Sequence, residues 1–508
     1  MGRVLTNNFE LLYGIEPSLA APPTVWKKTE PNSVGSFGAD ITTVPRRPIS
    51  QDRQKRKGTP TDLDSGAEFE FDLTIDGLHD FLEGFVFAEA ANADLVFKAA
   101  NISATPDGYV IPAATQPQAD KLQWVTLTEA TLLFARGYVN AGNNGIKVLT
   151  ADVILNDTKM VCAGQSLVVE TAPANAQVEV CGIRAGADDL SISVTSGVAV
   201  ITSAANVDFT SLGLKLGQFV HVGGLVVANQ FGAGASIGFG RVTAITTLTL
   251  TLDKITSTLI TDNGLGDNMD ILFGRFFRNV SVDAASADNR YLERTFQFEG
   301  SYPNLQVPGP GAEFEYAKGN FCNELALNLP LTDKATVSVV FIGTDTEVFT
   351  TSRKSGASTA TAPLLTTAFN TSMDVARLTT RLAGSALDTS FKSLTLTLNN
   401  NASPEKKLGQ LGAAFVNVGI FEVTLEAQLI FTDSRVPNAI RNNSTLTFDA
   451  ILNNGEGAIC IDIPSLTFGG GDKEYPADAS LLINVTGDAF QDATLGTSLG
   501  ISYIPITP

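Results

Sequence analysis

Several stretches of this chain alternate apolar and polar residues one for one. The alternation runs through Glu68-Phe69-Glu70-Phe71-Asp72-Leu73-Thr74-Ile75 and Glu293-Arg294-Thr295-Phe296-Gln297-Phe298-Glu299. It returns in Ser393-Leu394-Thr395-Leu396-Thr397-Leu398 and in Glu422-Val423-Thr424-Leu425-Glu426. A period of two sends successive side chains to opposite faces of an extended strand. Phe69, Phe71, Leu73 and Ile75 are therefore expected on a core, with the acids between them on a polar face. The fold class this implies is mainly β. Helical spacing is best at 77–90, where Leu78, Phe81, Leu82, Phe85 and Val86 recur at i, i+3, i+4, i+7 and i+8. Gly77 and Gly84 each cost that helix about 1 kcal/mol if interior. Shorter helices are considered at 11–19, where Gly14 and Pro17 oppose them, and within 361–387.

Two internal repeats organise the chain. In the first, Ile41-Thr42-Thr43-Val44 leads into a basic loop at 46–58, as Leu394-Thr395-Leu396-Thr397 leads into one with Glu405-Lys406-Lys407 and Gly409. Phe69 to Thr74 then stands beside Phe421 to Glu426, and Thr295 to Glu299 beside Thr445 to Asp449. Cys322 to Pro330 stands beside Cys460 to Phe468, and Ala335 to Asp345 beside Ala479 to Asp488. The common order across these elements reads as a duplicated domain. The second repeat lies between about 92 and 286, where the acidic, aromatic style gives way to Val, Ala, Gly, Asn and Thr. Residues 137–151 and the pair 223–230 and 238–245 each read as strand, Asn/Gly turn, strand. Two small inserted β-barrels are expected there.

The expected division is an N-terminal arm (1–38), a discontinuous first domain (39–95 plus 287–345), inserted barrels at 96–200 and 201–286, a long loop (346–390) and a second domain (391–508). The arm and the loop, long and poorly patterned, are expected to order on assembly against neighbouring subunits. A length of 508 residues suits about three domains.

Charge and rare residues exclude several classes. A formal charge of −19 argues against general affinity for phosphate backbones. His79 and His221 are the two histidines, so multi-His metal sites are excluded. Cys162, Cys181, Cys322 and Cys460 form no CxxC, and are expected unpaired in a reducing compartment. The glycines at 232, 234, 238 and 240 lack dinucleotide-binding spacing. The Asp-rich loop at 262–270 does not fit an EF-hand and reads as an Asx turn. No catalytic pairing, cofactor or metal is expected. Residues 1–8 lack a basic-then-apolar leader, and no apolar run approaches the roughly 18 residues of a membrane span.

The duplicated strands with their basic loop and acidic faces resemble the major tail tube proteins of long-tailed, non-contractile bacteriophages. The resemblance rests on Val44-Pro45-Arg46-Arg47-Pro48, Asp52-Arg53-Gln54-Lys55-Arg56-Lys57-Gly58, Leu396-Thr397-Leu398-Asn399-Asn400-Asn401, Lys406-Lys407-Leu408-Gly409 and Val418-Gly419-Ile420-Phe421-Glu422-Val423-Thr424. It covers roughly 35–95 and 287–490. It implies a tail-tube-type β-sandwich whose sheets join around a ring into an inner barrel. Rings then stack into a hollow tube that conducts genomic DNA without binding it. A single-domain member forms hexamers; a duplicated chain closes a ring with three copies. Partners implied are the chain itself, tape measure and tail completion proteins, and passing DNA. The setting is a virion assembled in a bacterial cytoplasm, with no membrane involved. Lumen-lining candidates are Glu68, Glu70, Asp72, Asp76, Glu299, Glu422, Glu426 and Asp449. Ring-to-ring candidates are Arg46, Arg47, Arg53, Lys55, Arg56, Lys57, Lys406 and Lys407. The rival readings are a secreted β-sandwich carbohydrate-binding protein and a capsid or decoration protein. Against the first stand the missing leader and a supply of two tryptophans, Trp26 and Trp124. A polysaccharide-degrading tail enzyme would need a carboxylate pair that sequence cannot place.

Overall fold

The computed structural model describes residues 5–49, 51–91, 96–98, 102–110, 127–153, 159–171, 173, 176–234, 236–283, 285–286, 289–306, 310–363 and 366–507. Strand pairing follows one order twice. The first set is β1 (Glu10–Ile15), β2 (Ser33–Arg46), β3 (Arg56–Asp72), β4 (Thr295–Gln306), β5 (Pro310–Leu329) and β6 (Thr336–Gly343). The second is β7 (Val375–Leu382), β8 (Ser390–Asn399), β9 (Glu422–Ile430), β10 (Leu446–Asn453), β11 (Ala458–Glu474) and β12 (Leu482–Ala489). The first set pairs β1-β4-β5-β6-β3-β2. The second pairs β7-β10-β11-β12-β9-β8. Each has a short helix after its fifth strand in that order: α1 (His79–Phe85) follows β3 and α2 (Arg435–Arg441) follows β9.

The repeat extends to irregularities. Phe296 faces Asn320, and Phe298 then faces Ala317. Leu446 faces Leu466, and Phe448 then faces Ile463. The long strands β5 and β11 leave one sheet and join the next, as strands do at the corners of sandwiches. Their first parts pair with β4 and β10, their last parts with β6 and β12. Between the sets, β5 runs antiparallel to β8, from Glu324 opposite Asn399 to Leu329 opposite Leu394. One sheet thus continues through β2-β3-β6-β5-β8-β9-β12-β11.

A single core runs through both sets. Phe69, Phe81, Phe296, Phe298 and Phe341 interlock in the first, and Leu425, Phe448, Ile461 and Val485 fill the second. Leu325, Leu327, Leu396 and Leu398 weld them at the joint. Each such side chain contributes about 1.5–3 kcal/mol on burial. The helix expected over 77–90 is the single pair of turns α1. A Cβ on Gly84 would lie 2.7 Å from Cys322 Sγ and 2.9 Å from the Phe296 ring, so close packing explains the glycine there.

The arm and the long loop differ from expectation. The region 11–19 holds strand rather than helix, and β1 pairs with β4 within the same chain. The loop supplies β7, the matching outer strand of the second set. Both are ordered against their own chain because each set needs a strand beyond β4 or β10.

The insert also differs. Ten of its strands form one sheet that runs across the expected boundary between two barrels, and three short ones, Ser103–Thr105, Gly108–Val110 and Lys159–Val161, form a second sheet. Strand Val198–Ser203 crosses the expected division at 200 and pairs with Thr249–Asp253. Gln177–Ala185 pairs with Met269–Leu272. One core, including Leu133, Val178, Ile201, Val220, Val242 and Ile271, serves the whole. The insert sits on the second set. Leu132, Cys181, Phe219, Phe239 and Leu272 pack against Ile451, Ala458, Cys460 and Ile504. At its edge Asp462 of β11 meets Lys254 Nζ at 2.5 Å and Arg241 at 2.8 Å, with Asp462 and Lys254 both buried.

Candidate functional site

The continuous sheet turns its apolar positions inward and leaves one polar face. Cross-strand pairing lines that face up in rows. Glu68, Val340, Glu324, Asn399 and Glu422 form one row. Glu70, Ser338, Ala326, Thr397, Thr424 and Asp488 form the next, and Asp72, Thr336, Asn328, Thr395, Glu426 and Thr486 a third. No Lys or Arg stands in these rows. Glu68, Glu422, Glu426 and Asp488 are exposed, while Glu70, Asp72 and Glu324 are half-buried. Asn399 Nδ2 donates to Glu324 at 3.2 Å. Lys334, entering from a loop, pairs with Asp72 at 2.8 Å.

Five of the expected lumen residues therefore share one surface: Glu68, Glu70, Asp72, Glu422 and Glu426. Glu324 and Asp488 join them and went unnoticed in the sequence. Their signal was there, in the alternations Glu324-Leu325-Ala326-Leu327 and Asn484-Val485-Thr486-Gly487-Asp488.

Three expected residues are elsewhere. Asp76 is clamped by Arg136 of the insert, which also reaches Glu179 at 3.0 Å, and accepts from Tyr503 Oη at 3.1 Å. Glu299 is fully buried; it meets Arg353 at 2.9 Å and accepts from Tyr316 Oη at 2.6 Å. Asp449 is fully buried between Arg377, at 2.6 Å, and Arg381. A polar residue in an alternating strand faces away from its apolar neighbours, but here a second layer of chain covers that side.

The basic residues collect at the tip of the β2–β3 hairpin. Arg46, Arg47, Arg53, Lys55, Arg56 and Lys57 are all exposed, with Arg56 paired to Asp52 at 2.6 Å. Lys407 is exposed too. Lys406 has partners in its own chain: its ammonium bridges Asp62 and Asp64, at 2.6 Å from the latter, at the hairpin's root.

The family model for phage tail tube proteins matches residues 6–489, nearly the whole chain and both strand sets. This chain belongs to the phage tail tube protein family. It is a structural protein of the phage virion tail. No curated protein matches it closely enough to count as a relative.

Within this tail tube protein the groups weighed for chemistry have structural surroundings. No helix among the described residues is long and apolar enough to cross a membrane. Trp26 is buried, its Nε1 donating to the Ser355 carbonyl at 3.2 Å, so it offers no platform for a sugar. Trp124 lies outside the described residues. The Asp262 and Asn263 side chains accept from Gly264 N–H at 2.7 Å and Leu265 N–H at 3.2 Å, closing Asx turns. All four cysteines are free and buried, and burial pushes their thiols up. His79 is buried edge-on to Tyr503.

His221 lies in strand Phe219–Val222 of the insert, and its Nδ1 faces the Gly223 carbonyl at 2.9 Å. Burial pulls it down to about 4. The unfolded chain protonates near 6.5. The stabilisation is thus full above pH about 6.5 and is lost as pH falls toward 4, by about 3 kcal/mol in all. The thermal midpoint of insert unfolding is expected to drop over that window. His221→Gln should flatten the dependence; an unchanged slope in the variant would assign it to another group.

Proposed function

We propose that this protein is the ring subunit of the tail tube, with the acidic sheet face lining the DNA channel. The reading is supported above all by that face: carboxylates from both strand sets on one continuous surface, without a cation in its rows. Lumen charge of one sign repels passing phosphates over about a Debye length, roughly 8 Å at physiological salt. Each chain supplies two tube domains, so three chains make a ring of six. Rings stack through the β2–β3 hairpins, whose basic tips dock on acidic surface of the next ring. Such charge pairs set register as much as strength. The contact is head to tail and does not close along the axis, so it grows a filament. Tape measure and tail completion proteins fill and cap that filament.

Negative-stain electron microscopy of concentrated protein, with mass measurement of the smallest ring, tests the reading. Hollow tubes built from three-chain rings are expected. A monomer at every concentration would sink the reading, and six-chain rings would remove the trimer. Replacing Arg46, Arg47, Arg53, Lys55, Arg56 and Lys57 by serine should leave rings intact and abolish tubes. Normal tubes from that variant would show that the hairpin tip does not stack.

A further inference from the structure

The two strand sets are not equally covered. Over Glu324 to Asn328, β5 has β6 on one edge and β8 on the other. Its counterpart β11, beyond Leu466, pairs with β12 alone among the described residues. Similarly β8 lies between β9 and β5, while its counterpart β2 pairs with β3 alone among the described residues. The chain therefore contains one completed joint between sets and the two unfilled halves of a second. Both open edges are solvent-exposed: Ser36, Ala39 and Asp40 on β2, and Asp472, Lys473 and Glu474 on β11. Long exposed edges of this kind invite another strand.

The repeat fixes how the missing joint would register. Phe321 faces Ile342 and Asn328 faces Thr336 in the first set; Thr467 faces Asp488 and Glu474 faces Leu482 in the second. Asn328 thus corresponds to Glu474. Thr395 faces Glu426, which faces Thr486; Ser36 faces Glu68, which faces Val340. Thr395 thus corresponds to Ser36. In the completed joint Asn328 lies opposite Thr395.

We propose that the end of β11 in one copy pairs antiparallel with β2 of a second copy, Glu474 opposite Ser36 and Gly470 opposite Asp40. This joint closes the ring, and so rests on the ring reading above. Its chemistry matches the completed one. There the Thr395 hydroxyl donates to Asn328 Oδ1 at 3.1 Å; here the Ser36 hydroxyl meets the Glu474 carboxylate. In this register Asp472 faces Gly38 and Lys473 faces Phe37, so no like charges stand opposite each other. β5 carries a register shift just before its joint, between Cys322 and Glu324; that of β11 falls two residues further along, inside the proposed joint, where Gly470 and Gly471, both at positive φ, take up the bulge.

Opposed residues in a β-ladder have Cα atoms about 4.5–5.5 Å apart, within disulfide reach. The test is the double variant S36C/E474C, with N328C/T395C as the in-chain standard. Mild oxidation of S36C/E474C rings should give covalent three-chain species on a denaturing gel, while the standard gives a bond within one chain. In the wild type, amide exchange at 35–40 and 470–475 should slow several-fold or more from monomer to ring. Rings of normal mass with neither cross-link nor added protection would overturn the joint and leave the ring standing. Absence of rings would remove both. Chain pairs cross-linked by E474C alone would replace the joint with a symmetric one.

Discussion

Tubes assembled from a chain carrying lysine at positions 68, 70, 422 and 426 are expected to hold short duplex DNA that wild-type tubes release. The four glutamates lie on one sheet face, two from each strand set. Each change replaces a repelling charge by an attracting one without touching the core, since Phe69, Phe71, Val423 and Leu425 point the other way and stay buried. Bound DNA should show strong salt dependence. A surface making 6–10 phosphate contacts loses about 10³–10⁵ in affinity between 50 and 200 mM salt. Co-sedimentation of DNA with tubes across a salt series is the measurement. Lysine tubes that sediment no DNA at low salt would mean that this face does not line the channel.

Asp462→Ala is expected to cost about 3–5 kcal/mol, the usual loss when one partner of a buried ion pair is removed. Asp462 holds Lys254 and Arg241 at once, and Lys254 is buried. Burial already pulls the Lys254 ammonium down, so without the carboxylate it is left as an unpaired charge or gives up its proton. The loss falls on the seam between insert and second strand set. Limited proteolysis should therefore cut the insert free before the tube strands unfold, and the first thermal transition should move down. Asp462→Asn should lose less, since its amide oxygen still accepts. An unchanged transition in the alanine variant would show that the apolar contacts of Leu132, Phe219 and Leu272 hold the insert by themselves.

Much of this architecture was legible in alternation. It located β3, β4, β8 and β9, and it matched Thr295 to Glu299 with Thr445 to Asp449 in the register that the strands adopt. Other matches found the right elements at the wrong offset. Cys322 was set beside Cys460, whereas the pairing sets it beside Phe468, because a shared cysteine is a weaker guide than the position of a register shift. The site shows the same limit. Glu68 and Glu299 sit in strands of the same style, yet one is exposed and the other buried. What separates them is Arg353, far along the chain, and no local pattern carries that contact. The insert was misdivided for a similar reason: its unity lies in the pairing of Gln177–Ala185 with Met269–Leu272, remote in sequence. The outer strands β1 and β7 escaped notice because Glu10 to Ile15 and Val375 to Leu382 alternate poorly.

The covalent link between the two strand sets also constrains counting. Domains that associate singly can close a ring with five, six or seven members if the angle drifts. Domains issued in fused pairs can add to a ring only two at a time. On the ring reading proposed above, odd rings are then closed to this chain whatever the tolerance of its joints. The neighbouring even sizes differ by a whole chain, so an assembly error has to cover twice the angular gap.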